Sequence, residues 1–314
     1  MTRYSQNFLM GNGVNAPSSY RAAWNGREGV PADLFDFEEV APDRFRVEPT
    51  GGPLARLFGG HVLAQALAAA QRTVSPDRPA HSCHAYFVSS GRTDCPIDYV
   101  VTRDRDGRSF SARRVTAMQG DTLIFSLSTS MHHPEDGPVQ QAVLPDVPPP
   151  ESLPPLDAAI AQSMAGMPPA RQAFWDRDLG LDFRAVEPFV TIDPPVTLPR
   201  RHMWARVRDR LGDDPAEHQR MFAYLSDLFV MHTGLGPLGV SWASMQLQDA
   251  SLDHAIWFHQ SFRADEWMLV AMDSPFTGGA RTLGRATVYA QDGRVVASVA
   301  QEGLVRILAK ATEE

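Results

Sequence analysis

The chain has 314 residues, of which 43% are hydrophobic, and a formal net charge of −8. Such an acidic balance argues against sequence-independent binding of nucleic acid, which needs a basic surface. Two cysteines cannot build a disulfide framework, and the absence of any run of about 18 apolar residues argues against a transmembrane helix. The low cysteine content predicts a cytoplasmic protein. Two domains are expected, because a single hydrophobic core is near its upper size at this length.

Residues 1–27 are small and polar and predict a flexible N-terminal arm. A first unit follows at 28–133, with an alanine-rich helix from about Gly60. Alternating apolar and polar residues then predict an antiparallel sheet, with strands at His84 to Val88, Ile97 to Thr102, Phe110 to Met118 and Leu123 to Met131. Residues 134–180 are rich in proline as far as about Pro155, which predicts an extended connector.

A second unit at 181–314 repeats this order. Strands are predicted around Phe189 to Ile192 and Trp204 to Val207, followed by a helix from about Ala216 to His232 that ends at Gly234. Five further strands are predicted, at Val240 to Gln248, Ile256 to Phe262, Trp267 to Asp273, Leu283 to Tyr289 and Val295 to Ile307.

The two units also share residues at a nearly constant spacing. His84, Arg92 and Arg114 recur as His254, Arg263 and Arg285, in each case 170 or 171 positions later. A constant spacing over separate segments indicates two copies of one unit, with an active surface that is split between them. One helix against one antiparallel sheet in each copy makes this an α+β fold.

Several common site patterns are absent or out of context. The glycines from Gly234 to Gly239 match a dinucleotide-binding pattern, but they follow a helix instead of a strand. His254 and His259 fall on opposite faces of a strand, which favours hydrogen bonding over joint metal binding. No metal or other cofactor is predicted.

Three polar residues stand out, each with an ordinary alternative. Asp227 lies in an apolar helical stretch, where a buried carboxylate is costly unless it has a partner, although it could also lie on a narrow solvent-facing stripe. Gln301 interrupts the last strand and could be its polar end. Ser251 opens a strand and could belong to a turn or cap.

A family resemblance connects these residues. The chain resembles the type II acyl-CoA thioesterases at five stretches, which are Phe58 to Ala66, Arg105 to Phe110, Tyr224 to Asp227, Ser251 to His259 and Gln301 to Arg306. The resemblance implies a double hotdog, in which two antiparallel sheets each wrap around a central helix. It also implies hydrolysis of acyl-CoA to free fatty acid and CoA by direct attack of a water activated by Asp227, Ser251 and Gln301. Position 251 holds Ser where the bacterial type enzyme has Thr.

Substrate contacts can be placed beside these motifs. Backbone N–H groups near Gly59 and Gly60, or near Gly303, are candidates for stabilising an oxyanion. We expect Arg108, Arg113 and Arg306 to bind the phosphates of CoA, although each could be a salt-bridged sheet residue instead. The acyl chain would lie along Leu225, Leu228 and Phe229.

Two other functions remain compatible with the sequence. One is a non-catalytic acyl-CoA binding or sensing protein, and the other is a hotdog hydratase or dehydratase with a His and an acidic residue as its acid–base pair. Release of CoA from acyl-CoA separates the hydrolase from both. A homo-oligomer is expected, because exposed sheet edges and faces favour symmetric pairing.

Overall fold

The structure, a computed structural model, describes residues 34–49, 56–189, 192, 194–243 and 247–308. The predicted arm at 1–27 lies outside these ranges. The helix of the first unit is α1 (Gly59–Gln71), and most of its side chains are buried because small alanine side chains let the sheet approach closely. The strands of this unit are β1 (Glu38–Ala41), β2 (Arg44–Val47), β3 (Ala80–Phe87), β4 (Ile97–Asp106), β5 (Phe110–Gln119) and β6 (Thr122–His132).

The connector is extended only in its first part. From 133 to 149 it has no regular structure, and Leu144 and Val147 pack against an apolar cluster of the second unit. Two helices that the sequence analysis did not anticipate then follow, α2 (Leu156–Ser163) and α3 (Pro169–Trp175).

The second unit has the predicted order with different bounds at two places. Its elements are β7 (Leu181–Ala185), β8 (Arg200–Val207), α4 (Pro215–Ser226), β9 (Leu247–Ser251), β10 (Asp253–Phe258), β11 (Met268–Gly278), β12 (Arg281–Ala290) and β13 (Val295–Ile307). Phe189 and Ile192 are in no strand, so the first strand of this unit is β7 instead. The predicted strand from Val240 begins only at Leu247, because a 3-10 helix that extends to Leu238 takes up the preceding chain.

The strands form one continuous antiparallel sheet. Its order is β1-β2-β4-β5-β6-β3-β10-β13-β12-β11-β8-β7, and β9 pairs with β13 outside this path. The two sheets of the double hotdog therefore join edge to edge through β3 and β10, while α1 and α4 pack against each other. The double-hotdog α+β fold is confirmed.

The register at this join defines how the halves are related. Ala255 lies opposite His84, and these two residues are 171 positions apart. Burial agrees with a spacing of 171 in this strand as well, because Cys83 and His254 are both buried whereas His84 is exposed. The equivalent of His254 is therefore Cys83, not His84.

In the part of the chain that the structure describes, no helix is long and apolar enough to cross a membrane. The cytoplasmic location, the domain boundaries and the homo-oligomer stay predictions.

Candidate active site

Asp227 lies at the end of α4, and this helix ends earlier than the sequence predicted. The helix stops at Ser226, and Asp227 follows as its C-terminal cap residue with φ −74° and ψ 0°. Phe229 then has a φ of 71°, which is unusual for a bulky residue, and a 3-10 helix runs over Met231–Leu238. The prediction of one helix as far as His232 was wrong, because this left-handed residue reverses the chain.

A glycine on a neighbouring strand makes room for that reversal. Gly284 of β12 packs directly beneath the backbone of Val230, and a Cβ at position 284 would overlap the Val230 carbonyl. Only a residue without a side chain allows the strand to approach the turn so closely. Gly284 therefore helps to set the position of Asp227.

Asp227, Ser251 and Gln301, hereafter the trio, meet in one hydrogen-bonded cluster. The Gln301 amide Nε2 donates to Asp227 Oδ1 at 2.6 Å, and the Ser251 hydroxyl donates to the same oxygen at 3.2 Å. Gln301 Nε2 also lies 3.1 Å from Ser251 Oγ. The structure brings all three predicted residues together, from the end of α4, the end of β9 and the middle of β13.

Asp227 is buried in the protein, not on a solvent stripe. Its exposed fraction is 8%, and that of Gln301 is 0%. Burial raises the pKa of Asp227 to about 7, although the hydrogen bonds from Gln301, Ser251 and the Gly60 backbone act in the opposite direction. A carboxyl group that changes charge near neutral pH is well matched to general-base catalysis.

The first unit completes the site. The N-terminus of α1 points at Asp227, and the Gly60 backbone N–H hydrogen-bonds to its carboxylate. A Cβ at Gly59 would lie 2.5 Å from Asp227 Oδ2 and 2.7 Å from Phe87 Cε1, so this position must be glycine. Asp227 and the α1 N-terminus that contacts it therefore come from different units, and an active surface split between the units stays a prediction.

Gly303 lies beside Ser251 of the trio, and its role as an oxyanion donor stays a prediction. It lies in β13 between Thr282 of β12 and Ser251 of β9. A side chain here would overlap Met231, which packs beside the Ser251 hydroxyl. The absence of a side chain at Gly303 therefore lets Met231 pack at the edge of the trio.

The three predicted phosphate-binding arginines are not together. Arg113 is 1% exposed, and its guanidinium donates to Thr73 Oγ1, to three backbone carbonyls and to Asp106. These internal bonds contradict a phosphate-binding role, because no donor is left for a ligand. Arg108 is exposed in the adjoining loop, near the C-terminal end of α1. The length of that helix, roughly 20 Å, separates this end from Gly59 and the trio.

Arg306 lies closer, on the strand that carries Gln301. It is exposed, and its guanidinium contacts the Gln248 side chain at 3.3 Å. It lies five positions after Gln301 in β13, which corresponds to about 16 Å along an extended strand, and alternation directs it to the face opposite Gln301. A contact between Arg306 and the CoA phosphates stays a prediction.

An apolar cavity lies next to the trio, between α4 and the sheet of the second unit. Leu225, Leu228 and Phe229 line it, as expected for an acyl-binding surface. The remaining lining residues come from α4, the turn after it and four strands, and they are Phe183, Met203, Ala205, Phe222, Ser226, Val230, Val270, Met272 and Val299. Val299 lies two residues before Gln301 on the same face of β13.

No sequence pattern placed His254 next to Asp227. The ring lies fully buried beside Asp227 and hydrogen-bonds to Ser226, while His259 contacts Ser298 on the outer surface. Strand alternation placed the two histidines on opposite faces correctly, and the predicted hydrogen bonding is confirmed. Period-two alternation with Ile256 and Phe258 marks position 254 as inward-facing, but it does not show that Asp227 lies opposite.

Comparison with known proteins decides the family. A family model described as acyl-CoA thioesterase matches residues 195–304, and one described as the acyl-CoA thioesterase N-terminal domain matches residues 48–132. The chain belongs to the type II acyl-CoA thioesterases. This thioesterase is 35% identical over 295 residues to acyl-coenzyme A thioesterase 8 of Homo sapiens, covering 91% of this chain and 92% of the human one.

Bacterial relatives agree with this assignment. Acyl-CoA thioesterase 2 of Haemophilus influenzae is 32% identical, with 87% of this chain and 96% of that one covered. The crystal structure of an acyl-CoA thioesterase II from Mycobacterium marinum has 37% identity and a TM-score of 0.71, and the match covers 89% of this chain and 99% of that one. The thioesterase is therefore similar to these proteins over most of its length, including both units.

Proposed function

We propose that this thioesterase hydrolyses acyl-CoA to free fatty acid and CoA by direct attack of a water molecule on the thioester carbonyl, with Asp227 as the general base. The observation that carries the proposal is the trio itself, in which two donors converge on one buried carboxylate oxygen. Such donors orient the carboxylate and oppose the rise in its pKa that burial causes.

The reaction needs no covalent enzyme intermediate. Asp227 takes one proton from water, and the water oxygen forms a bond to the carbonyl carbon, which gives a tetrahedral oxyanion. Collapse of this oxyanion breaks the carbon–sulfur bond, and the proton on Asp227 passes to the departing CoA thiolate. Gln301 Oε1 is buried and has no hydrogen-bond partner among the described residues, so it can accept the second hydrogen of the water and fix its orientation.

The N-terminus of α1 supplies the oxyanion contact in this proposal. The Gly60 N–H is engaged by Asp227, whereas the Gly59 N–H belongs to the first helical turn, whose donors have no partner within the helix. The helix dipole adds positive potential at the same point. Gly59 is thus the preferred oxyanion donor of the glycines considered.

The ends of the substrate then have opposite surroundings. The acyl chain extends toward the cavity lined by Leu225, Leu228 and Phe229, which at about 10 Å³ must widen to admit it. The CoA phosphates lie toward Arg306 on the exposed end of β13. The thioester between them is placed beside Asp227.

A hydratase or dehydratase fits this structure less well. One candidate acid–base pair is His254 with Asp227, 4.0 Å apart, but burial lowers the pKa of His254 to about 3 and makes this ring a weak proton acceptor. Another is His232 with Asp249, whose side chains are 2.9 Å apart. Asp249 also forms an ion pair with Arg171 of α3, and this guanidinium lies over the Trp242 ring at 4.4 Å. An acidic residue held by an arginine is a weak proton acceptor, because the positive charge favours its ionised form.

The test is release of free thiol from acyl-CoA by wild-type protein and by Asp227→Asn. We expect the variant to keep its fold and to lose kcat by roughly 10²-fold or more. Gln301→Ala and Ser251→Ala should lose less. Thr129→Ala is the matched control, since Thr129 lies opposite Arg113 in the first unit as Gln301 lies opposite Gly284 in the second. Turnover of Asp227→Asn close to that of wild type would overturn the mechanism, and no thiol release by wild-type protein would favour the binding or sensing role.

A further inference from the structure

The hydrogen bonds of His254 determine which of its ring nitrogens carries the proton. The Ser226 hydroxyl donates its only hydrogen to the Ala223 carbonyl at 3.0 Å. Its contact with His254 Nε2 at 2.9 Å therefore requires the ring to be the donor. Nε2 carries the hydrogen, and Nδ1 carries a lone pair.

That lone pair points into the active site. His254 Nδ1 is buried and has no hydrogen-bond partner among the described residues. It lies 4.0 Å from Asp227 Oδ1, the oxygen to which Gln301 and Ser251 donate. Leaving a buried acceptor without a partner is costly, so a partner that forms during the reaction would account for its position.

We propose that His254 is a positioning residue for the reaction, in which its Nδ1 accepts a hydrogen bond from the Asp227 carboxyl group while that group holds the proton taken from water. This inference rests on the proposed role of Asp227 as general base. The proton stays on Asp227, which moves toward the ring by about 1 Å to reach hydrogen-bonding distance. It then leaves with the CoA thiolate, so both residues return to their initial state.

The ring is suited to accepting a hydrogen bond without taking the proton. Burial lowers the pKa of His254 to about 3, so the ring is neutral and its lone pair is available over the whole working range. The equivalent position in the first unit is Cys83, whose thiol is a much weaker acceptor than an imidazole nitrogen. The imidazole thus occurs only in the unit that contains Asp227.

Other charged groups on the packed elements do not compete for this contact. Titratable side chains on the elements packed around His254 include His61 of α1, Tyr224 of α4, Cys83 of β3, Asp253 of β10 and Glu302 of β13. Burial lowers the pKa of His61 to about 3, raises the pKa of Cys83 to about 12 and also raises the pKa of Tyr224, so these three are neutral. Glu302 pairs with Arg281, and Asp253 accepts the Glu302 backbone N–H.

Two substitutions test the two ring nitrogens of His254 separately. His254→Asn keeps a polar atom where Nδ1 lies, and His254→Gln keeps one where Nε2 lies, so only the first retains an acceptor toward Asp227. We expect His254→Gln to lower kcat about tenfold with KM unchanged, and to shift the midpoint of the kcat/KM pH profile down by about one unit, because the protonated form of Asp227 loses its acceptor. His254→Asn should stay close to wild type in both.

The same loss of kcat in both variants with an unshifted pH midpoint would show that His254 only packs, and would overturn the inference. If Asp227→Asn retains full turnover, the proposed function fails first. If Asp227→Asn is inactive while His254→Gln is unchanged, only the present inference fails.

Nitrogen-15 NMR of the wild-type protein tests the same contact without activity and without a variant that has to fold. The Nδ1 resonance of His254 should move upfield as the pH falls through about 7, while Nε2 keeps its hydrogen. A resonance that does not respond to pH in this range would contradict the hydrogen bond.

Discussion

The two units place different residues at equivalent positions of their sheets. In the second unit Gly284 lies opposite Gln301 on the neighbouring strand, and in the first unit Arg113 lies opposite Thr129. Gly284 leaves space, and the turn that follows Asp227 occupies it. Arg113 fills the same space with its own side chain and hydrogen-bonds to Thr73, just beyond the end of α1.

This difference shows how equivalent places in the two repeats can hold the proposed general base in one unit and a structural arginine in the other. Both copies have a helix end facing the middle of a sheet, which is a place where a polar group can be buried. The second copy buries a carboxyl group that changes charge near neutral pH, whereas the first buries a guanidinium whose donors are all satisfied within the protein. The choice of a glycine or an arginine on the middle strand decides between these outcomes.

The largest expected effect is a loss of stability on substitution in the first unit, which contains Arg113. Arg113→Ala should lower the free energy of unfolding by about 3 kcal/mol, because it leaves buried carbonyls without donors and opens a cavity. Its kcat should be within about twofold of wild type, since the trio is a helix length away. Urea unfolding and thiol-release kinetics measure the two quantities. The neighbouring variant Arg114→Ala is the control, because its ion pair with Asp104 is at the surface. A large loss of kcat without loss of stability would break the comparison.

The second expected effect is a loss of kcat on substitution in the second unit, which contains Asp227. Gly284→Ala should lower kcat by roughly 10²-fold, because the added methyl group displaces the turn behind Asp227 and a shift of about 1 Å can cost that much. Steady-state kinetics on protein checked for its fold by circular dichroism provide the measurement. Gly137→Ala, at a glycine with open space around it, should behave as wild type. Equal kinetics for both variants would mean that Gly284 does not position the site.

The third effect is the pH dependence of stability. The pKa of Asp227 is about 7 in the folded protein and lies near 3.8 in the unfolded chain, so between these values the folded state holds the extra proton. The contribution of Asp227 to stability therefore decreases as pH rises from about 4 to 7. Relative to wild type, Asp227→Asn should gain about 2 kcal/mol of stability between pH 5 and pH 8. Denaturant unfolding at both values checks this, and an unchanged difference would place the pKa of Asp227 near its ordinary value.

The smallest effect is expected at the predicted phosphate contact. Arg306→Ala should raise KM for acyl-CoA about threefold, as loss of an exposed ionic contact is worth less than about 1 kcal/mol. KM for a short acyl thioester without the nucleotide should not change. Arg108→Ala, at the other end of α1, serves as the control. Equal losses with both substrates would make Arg306 structural.

Much of this architecture follows from local patterns. Alternation predicted the strands of both units, and alanine density predicted α1, because these signals depend on which face is buried. Arg113 shows a signal that was present but unused, since alternation places it on the buried face with Val115 and Ala117. Motif resemblance selected the trio, while composition alone left each member with an ordinary explanation.

Other features depend on tertiary contacts that no local pattern contains. The end of α4 at Ser226 follows from the left-handed Phe229, whose ring stacks on Trp175 of α3. The packing of Val230 on Gly284 joins residues from distant segments, as does the approach of His254 to Asp227. The sequence shows which face of each helix or strand is buried, but it does not show which faces pack against each other.

The pairing of β3 with β10 has a further consequence for the chain as a whole. The strands on either side of this join, together with α1 and α4, hold the two halves through hydrogen bonds and packing that do not involve the polypeptide link. The exposed segment 134–139 contributes mainly a high effective concentration of one half near the other. A protein expressed as two pieces divided there would keep the whole join, and its assembly would depend on concentration as that of an obligate heterodimer does. The join between the two halves thus resembles a subunit interface, although both halves belong to one chain.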